Sequence, residues 1–147
     1  MGIFGSSYRG LCKKGIEALA SGNQAKAEEL ILQALNLDPS AAMAYACLGM
    51  VYLMASIDFS LRNDKANAKG YGEKSIAAYD EGIRRETSAQ RKAALWWQRG
   101  IALRAIDRDE DRFSSWLEAE KLSPGYTITR NDRMSEAISE ALTELKK

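Results

Sequence analysis

The 147-residue chain contains no histidine. That absence excludes an imidazole general base and any metal site built on imidazole. Cysteine is nearly as scarce, and Cys12 and Cys47 are too few for a disulfide framework or a structural zinc site. Free thiols suit a reducing compartment, so a cytoplasmic location is expected. Charge of one sign is also missing: 21 Lys and Arg against 20 Asp and Glu leave a net +1. A dedicated nucleic-acid binder would need a large positive excess, so no nucleic-acid partner is expected. No apolar run is read as approaching the roughly 18 residues of a membrane helix. The N-terminus lacks the basic start and apolar stretch of a secretory signal. Residues 1–7 read as a short frayed leader, although Met1-Gly2-Ile3-Phe4-Gly5-Ser6 also fits the loose myristoylation pattern of a lipid anchor.

Catalytic motifs are absent too. There is no phosphate-binding glycine loop with Lys and Ser/Thr, no Gly-x-Ser-x-Gly elbow and no His-Glu-x-x-His. Gly70-x-Gly72 lacks a preceding strand and a third glycine. Asp107, Asp109, Glu110 and Asp111 have the density of a calcium loop without its central glycine or closing glutamate, and read as a solvated turn. The expectation is a non-enzyme with no catalytic residue, no cofactor and no metal.

What the chain does have is a period. Its length allows one compact domain with a core of its own. Gly15 aligns with Gly49 and Ala18 with Tyr52 at a spacing of 34 residues, and a third copy surrounds Gly100. Gly15 to Ala34 is 19 residues, as is Gly100 to Ala119; Gly15 to Pro39 is 24, as is Gly100 to Pro124. Small residues at Ala18, Ala27 and Ala34, with Gly15 and Gly49, let two helices approach closely. Leu11, Ile31 and Tyr45 fill the gap between units, and Pro39 stops a helix because it cannot continue one. A single helix pair cannot bury its apolar face alone, so such units stack.

Tyr45-x-x-Leu48-Gly49-x-x-Tyr52 resembles the first-helix signature of the tetratricopeptide repeat (TPR) family. Ala27-x-x-x-Ile31-x-x-Ala34 followed by Leu37-Asp38-Pro39 resembles its second-helix half, and Trp96, Gly100, Trp116, Ala119 and Pro124 carry both halves in the third copy. The chain departs from the family pattern at Lys14 and Arg99, which stand before the glycine where leucine is usual, and at Arg112, where a small residue is usual. The resemblance implies an all-α, right-handed α-solenoid of three tetratricopeptide helix-turn-helix repeats with a C-terminal capping helix. The repeats span 8–41, 42–89 and 90–126, and the cap spans 127–147.

In the second copy, Ser75-x-x-x-Tyr79-x-x-Gly82 falls 14 residues late. Fourteen is close to four helical turns, so the insertion near 58–71 either lengthens both helices with every face kept or forms a flexible loop. Met54, Ile57 and Leu61, with Ala68, Tyr71 and Ser75, favour helices with Asn63-Asp64 at the tip. Gly70 and Gly72 oppose them, at about 1 kcal/mol each. Either device would protrude and could touch a partner. Thr87-x-x-Gln90 reads as a capping box that starts a helix about two turns before Trp96. The nearby Arg84, Arg85, Arg91 and Lys92 form a basic corner, usually a solvated face and otherwise a contact for an acidic partner. Met134, Ile138, Ala141, Leu142 and Leu145 make a strongly amphipathic terminal helix that covers the last repeat or docks on a second subunit.

The resemblance also implies a concave trough lined by the first helices. Its positions map to Arg9, Cys12, Lys13 and Ile16, then Ala46, Cys47, Met50, Leu53 and Met54, then Ala94, Trp97, Gln98, Ile101, Arg104 and Ala105. Such a trough is apolar with a basic lip at each end, Trp97 being a rigid anchor and the methionines an adaptable floor. The expected partner is another protein or peptide with apolar side chains and an acidic flank, and the expected role an adaptor or assembly scaffold. The subfamily that grips chaperone C-termini uses Lys, Asn and Arg where this chain has Cys12, Ile16, Cys47, Ala94 and Gln98, so that clamp is not expected. Two other readings stand beside the adaptor. Copies can stack into a homo-oligomer through repeat ends or trough, and the trough can be filled by the chain's own leader or terminal helix. Cys12 and Cys47 both map to the trough on adjacent helices, which makes a redox pairing conceivable.

Overall fold

The computed structural model describes residues 7–127 and 141–146. The leader up to residue 6 and residues 128–140 of the expected terminal helix lie outside the described residues. Among those described, the protein is all-helical. The helices are α1 (Tyr8–Ala20), α2 (Gln24–Leu37), α3 (Ala42–Leu61), α4 (Lys65–Arg85), α5 (Ala89–Ala105) and α6 (Asp109–Leu122), and residues 141–146 are helical as well.

The helices pair in sequence, and one turn design closes each pair. The middle residue of the three-residue turn is left-handed: Gly22 at φ 87°, Asn63 at φ 60° and Asp107 at φ 62°. Glycine adopts this conformation freely, and Asn and Asp are the side chains that tolerate it best. In each turn the next amide reaches five residues back, from Asn23 to the Ala18 carbonyl, Asp64 to Phe59 and Arg108 to Leu103, each at 2.9 Å. These bonds satisfy carbonyls that the helix end leaves orphaned. The second helices begin on Asn23, Asp64 and Arg108, of which the first two cap with a side-chain oxygen on the amide three residues on.

Glycine sets how close the paired helices come. A Cβ on Gly15 would lie 2.7 Å from Ile31, one on Gly49 2.8 Å from Tyr79, and one on Gly100 would overlap the Trp116 indole. Each glycine is a slot filled by a large side chain of the returning helix. Ser75 Oγ donates to the Gly49 carbonyl at 2.7 Å and Ser115 Oγ to the Trp96 carbonyl at 2.6 Å, so the second and third pairs are each tied by a serine, about one helical turn apart in register.

The fourteen inserted residues are helical. The α3 and α4 helices have 20 and 21 residues against 13 and 14 for α1 and α2, so each gains seven, or about two turns. Packing answers the glycine objection. Gly72 is a slot against Ile106 and Ser56, while Gly70 faces open space. Ser56 Oγ donates to the Ala68 carbonyl at 2.6 Å, and Phe59 stacks on Tyr71 with ring centroids 5.4 Å apart. Tyr52 lies on the same strip, where burial and the neighbouring Glu28 push its phenol up to about 12.

Three expectations need correction. The α3 helix is long and apolar enough to cross a membrane by length and composition, with a mean hydropathy of 1.5 and 56% of that window buried. Its apolarity has a tertiary use, because it packs on α1, α2, α4 and α5 and has few open sides. The capping box at Thr87 is displaced by one residue: Ser88 caps α5 by accepting from the Arg91 amide, and Glu86 Oε2 accepts from the amides of Thr87 and Ser88. Only Asp107 of the acidic stretch lies in the turn. Asp109, Glu110 and Asp111 form the first turn of α6, where negative charge complements the helix dipole.

Candidate functional site: the face of α1, α3 and α5

The first helix of each pair contributes to one face, with α3 packed between α1 and α5. Of the residues mapped to the trough, Cys12, Ile16, Cys47, Met50, Leu53 and Trp97 are fully buried, and Ala46, Gln98 and Ile101 nearly so. Arg9, Met54, Ala94 and Ala105 are half-buried, while Lys13 and Arg104 are exposed. The basic residues therefore lie at the margins and the apolar ones inside.

Part of the burial comes from the chain's own C-terminal end. Ala141 and Leu145, one helical turn apart, are buried and belong to the same apolar cluster as Met50 and Trp97. Between them Glu144 meets two arginines: Arg9 Nη2 donates to its backbone carbonyl at 2.9 Å, and Arg91 Nη1 lies 3.6 Å from its carboxylate. Arg91 Nε also donates to Glu86 Oε1 at 3.1 Å, and this bond raises the guanidinium pKa further above its ordinary value. Tyr126 adds a second internal cover, edge-on to Trp97 with ring centroids 6.1 Å apart. Its turn is fixed by Glu120, whose carboxylate accepts from the amides of Gly125 and Thr127.

The cover leaves space. A cavity of about 360 Å³ remains among Met43, Met50, Ala94, Gln98, Tyr126 and Ala141, and a second of about 540 Å³ adjoins it at Arg9, Arg91 and Glu144. Gln98 is 4% exposed, and its carboxamide oxygen has no hydrogen-bond partner. A buried acceptor left without a donor is costly, so a donor brought to this side chain would relieve it.

Cys12 and Cys47 meet beneath this face, both free and wholly buried. A hydrogen bond with the Cys12 thiol, helped by burial, pushes the Cys47 thiol well above its ordinary range. A protonated, inaccessible thiol is a poor nucleophile. Three members of the basic corner have partners within the chain: Arg84 and Arg85 pair with Glu81, and Arg91 with Glu86 and Glu144.

The sequence reading missed Glu144 and Tyr126 as parts of this face. The signal for Glu144 was an acid between the apolar positions of an amphipathic helix; nothing local pointed to Tyr126. Among the described residues, no group of three or more Asp, Glu or Cys is placed to hold a metal ion. No protein-family model matches the chain, and a comparison with curated proteins finds no match.

Proposed function

We propose that the protein is a non-enzymatic interaction module, a three-repeat stack of the tetratricopeptide kind whose concave side receives a helix or peptide of another protein. The shared turn and the three glycine slots support the repeat reading. The observation that carries the functional reading is the seat of Glu144, where an apolar strip between Arg9 and Arg91 accepts a helical segment bearing an acid. A partner helix with apolar side chains and an acidic flank has the same chemistry. Recovery of a partner from the native source tests this. Arg9→Glu with Arg91→Glu should release it, whereas Lys69→Glu with Lys74→Glu on α4 should retain it. A partner held equally by both variants overturns the reading.

One observation favours a second role. Phe113 and Leu117, one turn apart on α6, are 59% and 57% exposed. An apolar stripe on the last pair suits end-to-end stacking of copies. Sedimentation over a range of concentrations separates the two: a mass that rises with concentration, and no longer does so in Phe113→Lys, supports self-assembly.

A further inference from the structure

The seat already holds a ligand, but an imperfect one. Residues 141–146 supply two buried apolar side chains, Ala141 and Leu145, and one acid, Glu144. The Arg91–Glu144 pair is long and partly solvated, with side-chain exposures of 47% and 22%, so it holds the segment weakly. Beneath the segment, Ala141 borders a cavity of about 360 Å³ that its methyl group does not fill. Gln98, whose buried carboxamide oxygen has no hydrogen-bond partner, lines the same cavity. Each shortfall is a place where another occupant gains contacts that residues 141–146 do not make.

We infer that residues 141–146 are a displaceable internal occupant, and that an acidic amphipathic helix of a partner protein binds by replacing them. This rests on the receptor reading above and adds its regulation. The replacing helix keeps an acid for Arg91, a backbone carbonyl for Arg9 and an apolar residue at the Leu145 position. At the Ala141 position it carries a larger side chain with an N–H or O–H donor for Gln98. Affinity for a partner then includes the cost of expelling the internal segment.

The test uses the full chain and two labelled peptides, one with the sequence of residues 134–147 and one with Ala141→Trp, whose indole adds volume and an N–H donor. Leu145→Asp, or Glu144→Arg as an independent second variant, weakens the internal segment. The native-sequence peptide should bind either variant about ten-fold or more tighter than the unmodified chain, a difference of about 1.4 kcal/mol or more. The tryptophan peptide should bind the unmodified chain more tightly than the native-sequence peptide, and lose that advantage in Gln98→Leu. Equal, measurable affinity for the unmodified chain and both variants overturns displacement and leaves the receptor reading standing. No binding of either peptide to variants whose circular dichroism is unchanged overturns the receptor reading itself.

Discussion

The first helix pair and the middle one solve the same packing problem at different lengths. Both close with a left-handed middle residue and a five-back amide bond, and both sink a large side chain into a glycine slot. They differ by seven residues per helix, and seven residues at 3.6 per turn bring each face back to within about 20° of its starting direction. Length was therefore added without rebuilding the interface. The addition brought its own devices, among them the buried Ser56 bond, the Phe59–Tyr71 stack and the Gly72 slot.

The comparison breaks most readily at the glycines. A Cβ on Gly49 would lie 2.8–2.9 Å from three atoms of the Tyr79 ring, while one on Gly15 would lie 2.7 Å from Ile31 Cγ1, 3.1 Å from its Cδ1 and 3.3 Å from the Ala27 carbonyl. Both substitutions should cost about 1–3 kcal/mol in urea unfolding, with Gly49→Ala the larger because three atoms of a rigid ring crowd its Cβ. Equal losses would show that the two slots are alike. The next effect is polar. Ser75, which stands where the first pair has Ala27, bonds the Gly49 carbonyl, so Ser75→Ala should cost about 1 kcal/mol. Ser56→Ala should cost about the same by the same assay.

Much of this was legible in the sequence, because glycine, alanine and the two prolines recur at fixed offsets and helix geometry turns offsets into faces. The 14-residue delay was legible as whole turns, but helix and loop stayed open. Intrinsic propensity argues against Gly70 and Gly72, and only tertiary contact shows that Gly72 is a packing slot. The apolar run of α3 was misjudged because its central position, which explains it, is not a local property. At the candidate site, register picked out Arg9, Ala46, Met50, Ala94 and Gln98, which border the two cavities, but it also assigned Cys12, Ile16, Cys47, Leu53 and Trp97 to an open trough, and these are buried. The terminal helix was legible as one possible cover but its anchoring was not: Arg9 and Glu144 are 135 residues apart in sequence, and no local pattern announces their meeting.

Two smaller effects sharpen the comparison. A Cβ on Gly70 would meet nothing within 4 Å outside its own helix, so Gly70→Ala should stabilise the protein by about 0.5–1 kcal/mol in the same urea assay, unlike the substitution at Gly49. The caps differ in whether they titrate. Hydrogen bonds from Asn67 hold the Asp64 carboxyl below its ordinary 3.8, whereas Asn23 caps α2 with a neutral amide. A lowered folded value means that this stabilisation is complete above 3.8 and is lost as pH falls through the folded value. Amide exchange at Asn67 should therefore accelerate, relative to Lys26, as pH falls below that range, and parallel behaviour of the two would contradict the assignment.

The central claim is that one helix-pair geometry is built three times, and proton–proton Overhauser spectroscopy reads it directly. The α-protons of Gly15, Gly49 and Gly100 should show cross-peaks to the side chains of Ile31, Tyr79 and Trp116 respectively. Loss of the Tyr79 or Trp116 contact in a folded sample would contradict it.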